Sequence, residues 1–278
     1  MEDFNILNSE EKERYFRQIL IPEIGESGQI LLKKSSVLIV GAGGLGSPQL
    51  LYLSAAGIGR IGIVDNDFVV LSNLNRQIIY NESDIGTVSK SQISAKILKQ
   101  KNSNIILDVY DVRLSEENAP IIFKDYDIIL DATDNFETRY LNNKVCFKLK
   151  KPWIFGGVRH FVGQYAVFDF RSGEGPCLNC IFPLEEDFKK SFVKEKENEI
   201  NLSDSEKKQN ELIDKGVIGV TPGIIGIFQA LQAIKMFLGI GNSMSGYLVN
   251  EDLLSNTRKS VKIIREPNCE ICGDKKLL

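Results

Sequence analysis

One short segment, residues 36–46, constrains this chain more than any other. SVLIV runs directly into GAGGLG, so an apolar β-branched run ends in Gly41-x-Gly43-x-x-Gly46. A run of that length and composition reads as a strand buried on both faces of a parallel sheet. The glycines let the chain turn sharply and let backbone N–H groups approach a phosphate with no Cβ in the way. The SPQLLYLSAAG that follows reads as a helix whose N-terminus adds a partial positive charge at the same spot. Asp65 ends the next apolar run, IGIV, about twenty residues on, where a carboxylate accepts hydrogen bonds from a ribose. Taken alone, the pattern fits NAD and ATP equally well.

Further runs alternate with helical stretches. Residues 105–109, 127–135, 153–155, 164–170 and 247–249 read as strands. Residues 11–34 read as two helices with a turn at Ile21-Pro22, the second running past Gly28; residues 89–101 and 216–238 are helical by composition. The alternation predicts a doubly wound, mainly parallel α/β sheet preceded by N-terminal helices. At 278 residues, one large domain is expected, with a nucleotide-binding half over about 1–150 and a second half over about 151–278. The charge-dense stretch 184–215 lacks periodicity and is expected to be an exposed, mobile crossover segment.

Composition narrows the chemistry. Charged residues at 26% and apolar residues at 43% exclude wholesale disorder and a coiled-coil rod. With 34 Lys+Arg against 37 Asp+Glu, no global basic excess points to nucleic acid, so any anion site is local. His160 is the one histidine, which makes a His-rich metal centre impossible. Residues 216–234 lack charge, but Thr221, Pro222, Gln229 and Gln232 interrupt them, so a buried core helix is expected rather than a membrane span. The polar N-terminus is unlike a signal peptide. The expected location is the cytoplasm, where thiols stay reduced.

The segment after Asp65, DNDFVVLSNLNRQ, is too polar to cover a nicotinamide. It places Asp67, Asn73, Arg76 and Gln77 close together, and Asn73 and Arg76 share a face if the segment is helical. Arg76 with the downstream Lys90 would clamp a triphosphate, whose oxygens gain charge during phosphoryl or nucleotidyl transfer. Asp131 and Asp134 end the fourth strand, and strand carboxyl ends are where such sheets bind ligands. An Asp there holds Mg²⁺ or caps the following helix. The pairs Cys177-x-x-Cys180 and Cys269-x-x-Cys272 have the spacing of a closed, four-thiolate Zn²⁺ site that would staple the tail to the middle of the chain. Cys146, in VCF, reads as a small buried hydrophobe. His160 reads as structural or weakly substrate-facing.

RYFRQILIPEIGESGQ, VLIVGAGGLGSP, DNDFVVLSNLNRQ, ILDATDN, GVIGVTPGIIGIFQALQAIK and PNCEICG, in this order from Arg14 to Gly273, closely resemble the ThiF/MoeB/HesA family. These are the bacterial relatives of ubiquitin-activating enzymes. The resemblance implies a Rossmann-like fold that binds ATP-Mg and a ubiquitin-like sulfur-carrier protein ending in Gly-Gly. The carrier's carboxylate attacks the α-phosphorus, pyrophosphate leaves, and an acyl-adenylate forms. By matching position, Gly44 joins Gly41, Gly43 and Gly46 in the phosphate turn and Asp65 takes the ribose. Asp67, Ser72, Asn73, Leu74, Asn75, Arg76, Gln77 and Lys90 build the nucleotide pocket. Asp134 takes the Mg²⁺ role beside Asn135. Arg17 matches the arginine that reaches the partner subunit's nucleotide in family homodimers.

Two departures stand out. Three residues rather than two separate Gly86 from Lys90, which questions the register of the lysine. No cysteine occurs over 181–268, so the acyl-persulfide chemistry of ThiF-type members is not expected, and the adenylation-only MoeB type fits better. One alternative is a peptide-adenylating relative of the MccB type. Its larger N-terminal peptide clamp contrasts with a chain that reaches RYFRQ at Arg14. An NAD-dependent oxidoreductase and a zinc-stapled scaffold without catalysis are further alternatives.

Overall fold

The computed structural model describes residues 6–183 and 216–274; the charged stretch expected to be a crossover, 184–215, lies outside the described residues. The chain begins with α1 (Ser9–Arg14), started by a capping box in which the Glu11 amide donates to the Asn8 side chain and the Asn8 amide donates to Glu11. The first expected helix breaks at Tyr15, which is buried and whose hydroxyl accepts from Asn102 Nδ2 at 2.8 Å. Anchoring that ring turns the chain into the short α2 (Phe16–Ile19), and α3 (Gly25–Lys34) follows.

Five strands alternate with helices thereafter: β1 (Ser36–Val40), α4 (Gly46–Ala56), β2 (Arg60–Val64), α5 (Lys90–Lys101), β3 (Ile106–Tyr110), α6 (Ala119–Phe123), β4 (Ile128–Asp131), α7 (Phe136–Lys148) and β5 (Trp153–Arg159). They pair in parallel in the order β3-β2-β1-β4-β5, with Val37 between Ile61 and Ile128. β6 (Val162–Phe168), β7 (Tyr247–Asp252) and β8 (Thr257–Lys262) extend the same sheet antiparallel beyond β5. The doubly wound sheet expected from the sequence is therefore present, lengthened by an antiparallel edge.

Side chains alternate across each strand, so the sheet divides the core in two. Val37 and Ile39 pack with Leu32, Leu50, Leu53 and Ile225 on one face. Leu38 and Val40 pack with Phe123, Tyr126, Trp153 and Phe168 on the other. Burial on both faces explains why β1 reads as an unbroken apolar run.

The apolar helix α8 (Val220–Leu238) lies in the first of these layers. It is long and apolar enough to cross a membrane by length and composition, yet Ile225 and Ala233 are fully buried within the protein. Gln229 pins it in place. Its Nε2 donates to the Asp131 and Ile154 carbonyls at 2.7 and 3.0 Å, and its Oε1 accepts from Gln49 at 2.7 Å. The helix starts at Val220 rather than at 216 because Val217 bridges to His160 at the β5–β6 turn.

Candidate active site

The strand order reverses between β1 and β4: the chain winds outward from β1 to β3, then returns to β4 on the other side. Loops leaving those two strands part in opposite directions and open a crevice at the carboxyl end of the sheet. A cleft of ≈ 1970 Å³ occupies that position. Gly41, Gly43, Gly44, Asp65, Asp67, Ser72, Asn75, Arg76, Gln77, Lys90, Asp134 and Asn135 all line it.

The elbow requires its glycines. Gly41 has φ +98°, and a Cβ there would lie 2.7 Å from the Ala132 carbonyl oxygen. Gly46 does not line the cleft; it lies beneath it, where a Cβ would collide with the Gly41 carbonyl. Asp65 braces the turn, accepting from the Ala42 amide at 2.7 Å and from the Asp67 amide at 2.9 Å. Burial pushes its carboxyl above the usual carboxylate range, against the pull of the Ala42 amide and Lys90. Each oxygen keeps a lone pair that can accept a further hydrogen bond.

Arg76 leans over the cleft from the turn after β2, donating to the Ser72 carbonyl at 2.8 Å and the Asn75 side chain at 3.1 Å. Asn73 and Leu74 do not line the cleft. The Asn73 side chain turns inward to close its own 3-10 turn on the Val70 amide, while Leu74 packs on the core. Asn73 and Arg76 therefore do not share a working face.

Lys90 opens α5 and is 5% exposed, yet it lines the cleft. Its ammonium lies 3.2 Å from Asp67, and its amide donates to the Asp67 carbonyl at 2.7 Å. Gly86, in the turn before this helix, takes φ +67°. Tyr80 ties this helix to the elbow: its buried hydroxyl lies 2.8 Å from the Ala42 carbonyl and 2.9 Å from Ser94 Oγ.

Across the crevice, Asp134 presents an exposed carboxylate to the cleft, and Asn135 caps α7 by accepting from Thr138 N at 2.9 Å. Asp131 is fully buried and takes no part in the lining; it accepts from Thr133 N and Oγ1 at 2.9 and 2.6 Å. Arg17 is exposed on α2 and lies outside the cleft.

The sequence reading missed several residues of the cleft wall: Arg139, Arg159, Gln164, Phe182, Val217 and Pro222. Pro222 belongs to the recognised GVTPG motif, so its signal was present. Arg139 sits one turn into α7, and no motif in the sequence marks it. Arg159 and Gln164 flank a hairpin whose existence the short strand runs did not disclose.

The four thiols of Cys177, Cys180, Cys269 and Cys272 lie within 4.8 Å of one another. Cys177 and Cys269 are 3.6 Å apart, Cys180 and Cys272 3.3 Å. With metal–sulfur bonds of about 2.3 Å, a tetrahedron has edges of about 3.8 Å, so the cluster is sized to hold a metal ion. Hydrogen bonding from Cys177 pulls the Cys180 thiol far down, while the same bond pushes Cys177 up. Cys146 is fully buried away from this cluster, as expected of a small hydrophobe.

A glycine elbow, facing cations and a carboxylate at the switch point of a doubly wound sheet define a nucleotide-binding protein. The chain belongs to the ThiF family, whose model matches residues 15–272. It is 41% identical over 268 residues to the sulfur carrier protein adenylyltransferase of Thermus thermophilus, covering 95% of this chain and 92% of that protein. It is 39% identical over 272 residues to a probable molybdopterin-synthase adenylyltransferase of Gracilaria tenuistipitata, covering 96% and 70%. The adenylyltransferase and sulfurtransferase MOCS3 of Aedes aegypti is 41% identical over 271 residues, but this chain spans only 57% of it. Among solved structures, E. coli MccB superposes with a TM-score of 0.79 at 21% identity, over 99% of this chain and 75% of MccB; this likeness is one of fold.

Proposed function

We propose that the protein is an ATP-dependent adenylyltransferase acting on the C-terminal Gly-Gly carboxylate of a ubiquitin-like sulfur-carrier protein, for sulfur transfer in cofactor biosynthesis. The observation that carries this reading is the meeting of the Gly41–Gly46 elbow, Arg76, Lys90 and Asp134 around one strand-end cleft. Identity of 41% along 92% of a carrier adenylyltransferase supports the same substrate class.

In this reading the triphosphate lies on the elbow amides, with Asp65 taking the ribose. The carrier's tail enters past Gly157, Gln164 and Val217, which line the cleft beyond the elbow. The tail carboxylate is ionised at neutral pH and needs no general base. It attacks the α-phosphorus; the new O–P bond forms as the bond to the β-phosphate oxygen breaks, and pyrophosphate carries the electron pair away. Arg76 and Lys90 offset charge that grows on the phosphate oxygens, and positioning supplies the rest. Lys90 exchanges Asp67 for phosphate when ATP arrives. Asp134, exposed to the cleft, would hold Mg²⁺ beside Asn135; the ion when bound neutralises phosphate charge. Cys177, Cys180, Cys269 and Cys272 would hold a structural Zn²⁺.

Arg17 lies outside the cleft, exposed on α2 with Phe16 and Leu20, which are 56% and 59% exposed. We assign this face to a homodimer in which Arg17 reaches the partner's nucleotide. We also propose a division into a nucleotide half, about 1–150, and a carrier- and zinc-binding half, about 151–278. We place the reaction in the reducing cytoplasm, where four thiols stay available to a metal.

A peptide substrate of the MccB kind is the second reading, because that fold superposes over nearly the whole chain. ATP–pyrophosphate exchange separates the two. Exchange driven by candidate Gly-Gly carriers and not by a short peptide supports the proposal; exchange driven by the peptide alone refutes it. Tight nicotinamide dinucleotide uptake without ATP uptake refutes both.

A further inference from the structure

Among the described residues, Arg139 is the one arginine buried in the protein, at 8% exposure. Burying a guanidinium costs several kcal/mol unless it is fully engaged. Its Nε is buried without a hydrogen-bond partner and its charge offsets that of the fully buried Asp131, but its hydrogen bonds lie at one place. Nη2 donates to the Thr133 carbonyl at 2.7 Å and to the Gly156 carbonyl at 3.2 Å. The guanidinium carbon lies 5.3 Å from the Phe136 ring centre and 5.2 Å from that of Phe155, within cation–π range of both.

The position matters because the sheet fails there. The β4–β5 ladder pairs Ile129 with Trp153 and Leu130 with Ile154, and then stops. Beyond it the strands part to open the crevice, which leaves carbonyls that a continuing ladder would have paired. Two side chains take over. From one layer, Gln229 of α8 joins the Asp131 and Ile154 carbonyls. From the other, Arg139 of α7 joins Thr133 and Gly156 one step further out. The Arg139 clasp therefore closes on the residue that immediately precedes Asp134. It replaces the sheet as the support of the loop that carries this carboxylate into the cleft.

The geometry points to Arg139 as a positioning residue that fixes the 133–135 loop so that Asp134 presents its carboxylate for a divalent cation. This rests on the nucleotide reading above and adds to it the element that sets the metal's place. A lysine at 139 keeps the charge, but it lacks the planar guanidinium that lies beside the Phe136 and Phe155 rings and its ammonium ends short of where Nη2 sits between the two carbonyls.

The test is Mn²⁺ binding, followed by electron paramagnetic resonance on the full chain with a non-hydrolysable ATP analogue, in the wild type, Arg139→Lys, Arg139→Gln and Asp134→Ala. Losing a partner that orients a metal-binding carboxylate typically costs about 10–100-fold in metal affinity. Arg139→Lys is therefore expected to weaken Mn²⁺ binding about tenfold, with analogue affinity in the absence of metal and melting temperature close to wild type. If Arg139→Lys does not fold, Arg139→Gln is expected to weaken Mn²⁺ binding at least as much, with melting lowered by a few degrees because two buried carbonyls lose their donor. A folded variant that binds Mn²⁺ like the wild type overturns the inference, and so does one that loses metal, analogue and thermal stability in equal measure. Asp134→Ala keeps the two claims apart. Unchanged Mn²⁺ affinity there overturns the metal role of Asp134, whereas an unchanged Arg139→Lys beside a weakened Asp134→Ala overturns the positioning role alone.

Discussion

The cleft and the cysteine cluster are built on opposite plans. The cleft gathers segments from the ends of several strands, with further wall from the β5–β6 hairpin and the start of α8, and stays open to solvent. Asp134 is exposed, and the Lys90 ammonium pairs with an Asp67 side chain that is itself 73% exposed. The cysteine cluster joins two segments 92 residues apart and closes on itself, with Cys177 and Cys272 at 0% and 1% exposure. A site that waits for a transient ligand keeps its backbone satisfied without one, as the Asp65 bonds to the elbow do. A site that fastens the tail depends on its ligand for its own stability. Substitutions in the cleft should therefore cost rate and spare the fold, and substitutions in the cluster the reverse.

The largest effects test that division directly. Arg76→Ala or Asp134→Ala should each lower ATP–pyrophosphate exchange by about 10²–10³-fold, the loss typical when one preorganised charge partner is removed. Melting temperature should stay within a degree or two of wild type, because neither side chain is buried. A large fall in melting temperature would break the contrast. Cys177→Ser should behave in the opposite way. Metal analysis of the wild type should find about one Zn per chain, and the variant should lose it. Losing several kcal/mol of metal-coupled folding energy lowers melting by roughly ten degrees in a chain of this size. Well under one Zn per wild-type chain would remove the staple from the account.

The same contrast explains what the sequence discloses. β1, β2 and β4 are legible because burial on both faces demands unbroken apolar runs. The elbow, Asp65, Arg76 and Asp134 are legible because each motif is contiguous. β8, TRKSVK, is exposed along its whole length at the sheet edge, so no apolar face marks it as a strand. α7 hides for a different reason: it turns Arg139, Asn142 and Asn143 inward, which spoils the usual amphipathic signal. Arg139 is invisible with it, since its value lies in two carbonyls brought close only after β4 and β5 have paired. Asn73 shows the limit of spacing arguments. It stands three residues from Arg76, but the 3-10 turn directs it inward.

Two smaller effects probe the cleft's own supports. Gly41→Ala forces a Cβ into positive φ and against the Ala132 carbonyl, at a cost of about 1–3 kcal/mol. Thermal melting should fall by several degrees. An unchanged melting curve would mean that the elbow relaxes without strain. Asp67→Asn is the mildest change, because its carboxylate is largely solvated and such pairs are worth about 1 kcal/mol or less. The Lys90 amide keeps its bond to the residue 67 carbonyl, so α5 stays in place. What changes is the partner that Lys90 must give up when phosphate arrives. ATP affinity, measured by calorimetry, should therefore hold or rise by no more than about fivefold, the equivalent of that 1 kcal/mol. Should Asp67→Asn instead abolish exchange as fully as Asp134→Ala, Asp67 would be a second metal-bearing carboxylate, and the lysine's resting contact would be incidental to its placement.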